Sequence, residues 1–194
     1  IPENARSSLQ LRSFFSYTIP ISFIKCNLSF DASYIYSETP GLLDMLQFKS
    51  YQQFSTFGIS LTSNINQKID FTIQFRPSYN TYKSSDTKDN YFILDQRIKF
   101  NWQFTNKNII RIEFNSKINQ DLSRQFDQNI YLLNVAIGRK LFKNERGEIA
   151  IGVNDFFNEN ESIQRLVSEY YLEDSKNNIL QRFLMLSFTY NIRN

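Results

Sequence analysis

The sequence contains no histidine, one cysteine, four prolines and five glycines in 194 residues. The missing histidine removes the commonest general base and metal-ligating nitrogen, which disfavours hydrolases that depend on one. A lone Cys26 rules out an intramolecular disulfide framework and any cysteine-based zinc cluster. No glycine-rich phosphate loop or clustered carboxylate ladder is present either. The sequence therefore predicts no enzyme, and no catalytic, cofactor-binding or metal-binding residues. Long hydrophobic runs are also missing, since no stretch approaches the roughly 18 apolar residues of a membrane helix. Mean hydropathy is −0.42. That low value leaves membrane strands open, because half the residues of such a strand face away from lipid. Charge is balanced, with 22 basic and 19 acidic residues and a net charge of +3. The basic residues are scattered rather than gathered in a stripe, so no nucleic-acid partner is expected.

Aromatic residues are abundant, with 19 Phe and 11 Tyr. Such side chains suit a pleated strand surface, whereas helix-forming Ala is scarce. The dominant pattern is period-2 alternation. Ile69, Phe71, Ile73, Phe75, Pro77 and Tyr79 alternate with Asp70, Thr72, Gln74, Arg76, Ser78 and Asn80. Leu184, Leu186, Phe188, Tyr190 and Ile192 alternate in the same way with Met185, Ser187, Thr189 and Asn191. A strand sorts such sets onto two faces, while a helix would spread them around its axis.

Nine alternating segments are predicted, at about 7–19, 23–37, 50–63, 68–82, 90–104, 108–119, 128–142, 147–157 and 179–193. Most exceed the usual globular strand length of about 5–6 residues. The gaps between them read as alternately short and long. The long ones are Ser37–Lys49, Lys83–Asp89, Gln120–Asp127 and Asn158–Asn178. Alternation of this kind predicts a transmembrane antiparallel up-and-down β-barrel, with short periplasmic turns and long extracellular loops. An odd strand number implies that this is part of a larger barrel, with further strands expected before Ile1. The sequence opens without a methionine or a signal-peptide pattern, so an upstream segment is expected to have been removed or to lie outside it. The last long gap has room for a hairpin around Ile163 to Tyr171, which would leave the parity unchanged.

The run Ile137-Gly138-Arg139-Lys140, the turn Lys143 to Gly147 and Val153-Asn154-Asp155-Phe156-Phe157-Asn158 resemble the end of a TonB-dependent outer-membrane transporter of the Bacteroidetes type. The final segment, Leu180 to Phe183 and Phe188 to Asn191, is similar to that family's last strand. Tyr36 to Gly41 resembles one of its loop entries. The resemblance implies that residues 1–194 are the C-terminal segment of a barrel of about 22 strands. It also implies a plug domain and N-terminal strands not present in this sequence, and localisation in the bacterial outer membrane. The function it implies is import of a bulky nutrient, with TonB and a surface lipoprotein as partners beside the lipid bilayer. Two alternatives remain: a non-transporting barrel subunit that scaffolds a larger outer-membrane assembly, and a secreted β-sandwich. Against the family pattern, the chain ends Ile192-Arg193-Asn194 rather than on an aromatic residue.

Asp31, Arg76, Asp95, Arg97, Arg111 and Glu113, together with Lys99, fall on polar faces and are candidates for lining a lumen. Mutual solvation and cross-strand pairing, for instance of Arg76 with Asp95, is the favoured account of any single one of them. Cys26 reads as a small lipid-facing residue. Tyr17, Tyr34, Tyr36, Tyr79 and Trp102 are candidates for interfacial girdles. The apolar stretch Pro40 to Leu46 reads as part of a loop packed over the barrel mouth or against a partner protein.

Overall fold

A computed structural model describes residues 8–43, 46–63, 65–66, 68–84, 88–121, 127–160, 162–167, 172–177 and 180–192. Its strands are β1 (Leu9–Ile21), β2 (Cys26–Leu43), β3 (Leu46–Ser63), β4 (Ile69–Lys83), β5 (Lys88–Gln103), β6 (Asn108–Asp121), β7 (Asp127–Leu141), β8 (Gly147–Asn154), β9 (Ser162–Val167), β10 (Leu172–Asn177) and β11 (Phe183–Tyr190). Nine of them form one antiparallel up-and-down sheet in the order β1-β2-β3-β4-β5-β6-β7-β8-β11. β9 and β10 pair as a separate hairpin inside the connection from β8 to β11, in the gap where the sequence left room for one. The sheet is not closed, since β1 pairs with β2 alone and β11 with β8 alone.

The expected alternation of short and long connections is corrected for the first three long gaps, while the fourth, between Asn154 and Phe183 in the main sheet, is long as expected. β2 and β3 stay paired out to Leu43↔Leu46, so the predicted loop Ser37–Lys49 is mostly strand; Asp44 and Met45 lie outside the described residues. β4 and β5 likewise pair to Lys83↔Lys88, and β6 and β7 to Gln120↔Asp127. What differs between the two ends is strand overhang. Past Tyr36 the inward–outward alternation fades, so period alone gave no sign that the strand continues. Phe48 lies over Gly41, where a Cβ would come within 2.7 Å of its ring, and Ser50 Oγ donates to the Thr39 carbonyl at 3.2 Å. These contacts hold the overhang in register.

The eighth segment also ends earlier than expected, in a turn from Asp155. Asp155 takes a positive φ of 51°, a conformation that Asp and Asn tolerate better than most residues. Its carboxylate accepts the Glu159 and Asn160 N–H groups at 3.0 Å each, and its own N–H donates to Asn134 Oδ1 at 2.9 Å. Asn158 Oδ1 accepts the Arg182 N–H at 3.2 Å, tying this turn to the entry of β11. The Asn154–Asn158 run is thus a structural knot.

The register sorts the apolar sets onto a single face. Leu61, Ile73, Ile98, Phe114 and Leu133 lie side by side across β3 to β7. Among the described residues no second layer covers this face, so Phe15 is 61%, Leu184 75% and Leu186 72% exposed. A water-soluble sheet buries one face; among the described residues neither face of this one is covered by a second layer.

The apolar band crosses the strands obliquely. The register row from Ile21 runs through Cys26, Ser63, Phe71, Phe100, Ile112, Val135 and Val153 to Leu184. Ile21 is the residue of the β1 set nearest the short-turn end, whereas Leu184 is the one of the β11 set farthest from it. Over eight strand-to-strand steps the upper edge therefore slips by the length from Leu9 to Ile21, and the lower edge by that from Leu184 to Ile192. At about 3.3 Å per residue and about 4.8 Å per strand, the band makes an angle of about 35–45° with the interstrand direction.

Candidate functional site

The opposite face carries the charges. Asp31, Arg76, Asp95, Arg97, Lys99, Arg111 and Glu113 all fall on it in the register. Arg76 and Asp95 are direct cross-strand neighbours, as the alternation suggested. The expected ion pair between them is nevertheless not made. Arg76 Nη2 reaches instead to Asp31, at 3.0 and 2.9 Å from its two carboxylate oxygens, although β3 lies between the two strands.

Gly58 makes that reach available. It sits opposite Asp31 on β3, and a Cβ there would come within 2.6 Å of the Asp31 carboxyl carbon. The β3–β4 register is interrupted at this point, because Phe57 and Gly58 drop out of the ladder between Thr56↔Ser78 and Ile59↔Phe75. Pro77 on the facing strand has no N–H to donate. The Asp31–Arg76 pair thus bridges a place where the backbone ladder cannot.

The same arrangement recurs further along the sheet. Arg111 on β6 pairs with Glu148 on β8 through two contacts, one of them Nη2 to Oε2 at 2.7 Å. Gly138 on β7 lies beneath, where a Cβ would come within 2.9 Å of Glu148 Oε1 and 3.4 Å of Arg111 Nη1. Between these two clasps, Glu113 accepts from Arg97 Nε at 3.1 Å and Nη2 at 2.6 Å, with Lys99 Nζ at 3.8 Å. Arg76, Asp95, Arg97 and Lys117 border a shallow depression of about 250 Å³ on this face.

Glu148, Gly58 and Gly138 were missed in the sequence. The available signal was a glycine inside a strand pattern, which marks a close approach. Cys26 is only 4% exposed, not open to lipid as expected, and its Sγ lies 3.4 Å from the Ile24 carbonyl oxygen. Tyr17 sits within the apolar band opposite Phe30, not at its rim. Trp102 and Tyr79 do mark opposite ends of the β4–β5 band, opposite Ile69 and Phe92. Among the described residues no group of three or more Cys, Asp or Glu side chains is placed to hold a metal ion. Among the same residues no helix is long and apolar enough to cross a membrane.

These contacts make a sharp expectation. Gly58→Val should push the Asp31 carboxylate off Arg76 and cost about 1–3 kcal/mol, as for a part-buried, charge-assisted hydrogen bond. In an Asp31→Asn background the same substitution should cost much less, because the clasp is already weakened. Equal costs in the two backgrounds, measured by denaturant unfolding in a double-mutant cycle, would show that Gly58 serves only the backbone.

Arranged this way, the face can solvate a lumen and order polar contacts along it. Comparison with protein-family models, curated proteins and solved structures finds no match to this chain.

Proposed function

We propose that this chain is part of the wall of a bacterial outer-membrane β-barrel, belonging to a TonB-dependent transporter that imports a bulky nutrient. The oblique apolar band carries the membrane part of this reading. Transmembrane barrels tilt their strands by about 35–45°, and a lipid-facing belt drawn around tilted strands must cross the register at that angle. The belt also has a suitable height. From Trp102 to Phe92 is ten residue steps along β5, or about 33 Å, which projects to about 25 Å at that tilt, the height of an outer-membrane apolar band. Aromatic residues gather at its lower edge, where Phe142 meets Phe188 and Tyr190 edge-on at 6.4 and 5.7 Å. Phe23, 88% exposed in the turn after β1, fits the same girdle.

The transport part rests on the resemblance of residues 137–158 and 180–191, and it brings the plug, TonB and a surface lipoprotein with it as partners. The mutual pairing of Asp31 with Arg76, Arg97 with Glu113 and Arg111 with Glu148 favours a second reading, a barrel subunit that scaffolds a larger assembly. Collapsing the inner-membrane proton gradient separates the two: solute uptake through a transporter stops, whereas a scaffold shows no uptake to lose.

The orientation has its own test. A tag inserted after Ser84 should be labelled on intact cells, and one after Asn106 only after lysis. Labelling of both on intact cells, or the reverse pattern, would overturn the assignment of the strand overhangs to the outside.

A further inference from the structure

On the apolar-band side of the sheet, just beyond Tyr79 and Phe92, the register gathers basic residues. Lys83 on β4 stands directly opposite Lys88 on β5, and Lys49 on β3 lies in the next outward-facing row towards the strand tips. Lys83 and Lys88 are exposed, and among the described residues neither makes an ion pair. Lys49 pairs with Glu38, the carboxylate of this patch. Tyr51 sits in the same row, opposite both Glu38 and Lys83.

Like charges directly opposite one another across strands, with Cβ atoms about 4.5–5.5 Å apart, repel and destabilise the pair. Such an arrangement calls for an external anion. Its depth identifies the source. Lys83 lies four residue steps past Tyr79, about 13 Å along the strand and about 10 Å along the membrane normal at the tilt derived above. That is just beyond the headgroup layer, which is about 5–8 Å deep, and a long Lys side chain bends readily back into it.

We propose that Lys83 and Lys88, supported by Lys49 and Tyr51, bind the phosphate groups of an anionic lipid in the outer leaflet. A phosphate offers several acceptor oxygens, so one group answers both ammonium charges and the Tyr51 hydroxyl together. The site rests on the reading of the apolar band as lipid-facing, since only that puts the lysines at headgroup depth.

The test compares the full chain with a Lys83→Gln/Lys88→Gln double variant. Both are inserted into phosphatidylcholine vesicles, and into phosphatidylcholine vesicles containing bisphosphorylated lipid A. In phosphatidylcholine the variant should unfold in urea at the same midpoint as the parent or a higher one, because the repulsion is gone. With lipid A present the order should reverse. Affinity for lipid A, titrated in zwitterionic detergent, should fall about tenfold to thirtyfold, as expected for two lysines near an anionic surface. The same midpoint shift in both vesicle types overturns the phosphate site and leaves the wall reading intact. So does full replacement of the lipid A effect by inorganic phosphate, which would assign the lysines to a soluble anion. Quenching of the single tryptophan, Trp102 on the apolar face, by a water-soluble quencher but not by a brominated lipid in either vesicle sinks the wall reading itself.

Discussion

Ile73→Arg is expected to destabilise the proposed membrane wall by about 2–4 kcal/mol, while Thr72→Arg costs only about a few tenths. Ile73 lies on the apolar face between Leu61 and Ile98, near the middle of the band on β4. An arginine there must place its guanidinium in hydrocarbon or bend far to escape it. Thr72 points the other way, between Thr62 and Lys99. Arginine at that position joins a charged surface and suffers only mild repulsion from Lys99. The contrast is decisive because Ile73 is 44% exposed. In a water-facing sheet, replacing a half-exposed Ile by Arg is nearly neutral. Urea unfolding of the two variants in lipid vesicles reads the difference, and equal midpoints would reject the assignment of the apolar face to lipid.

The second large effect concerns the edges. When the chain is refolded alone in detergent as a monomer, alternate amides of β1 and β11 should exchange orders of magnitude faster than those of β4 to β6. The cause is topological. In a nine-strand up-and-down sheet the first and last strands run in the same direction, so they cannot close onto one another in antiparallel fashion. Each backbone group left unpaired in hydrocarbon costs several kcal/mol, which is why membrane sheets close. Two copies in the same membrane orientation cannot supply the remedy, because their adjoining edges would again run parallel. Closure needs an odd number of strands from elsewhere. Strong protection of both edges in a verified monomer would refute this, and the β9–β10 hairpin would then be the first place to look for the pairing strands.

Much of this sheet was legible in the residues. The alternation of Ile69 to Tyr79 and of Leu184 to Ile192 marked strands and their faces, and the same pattern elsewhere gave the nine strands of the main sheet but not the β9–β10 hairpin as strands, because a period of two admits only one sorting of side chains onto a pleated sheet. The polar assignment of Asp31, Arg76, Asp95, Arg97, Arg111 and Glu113 followed from the same period. Where alternation failed, so did the reading. Past Tyr36 both faces are polar or mixed, so the end of β2 read as a loop, although backbone pairing continues to Leu43, whereas the end of β4 was read to within one residue of Lys83. The three-dimensional fold alone decided which strand meets which and in what register. Register is a relation between distant segments, and from it came the slant of the apolar band, the open edges and the opposed Lys83 and Lys88. It also decided between the two carboxylates near Arg76. Sequence pattern favoured the adjacent Asp95, whereas removal of a single side chain at Gly58, beside the missing donor of Pro77, gave Arg76 to Asp31 across a whole strand.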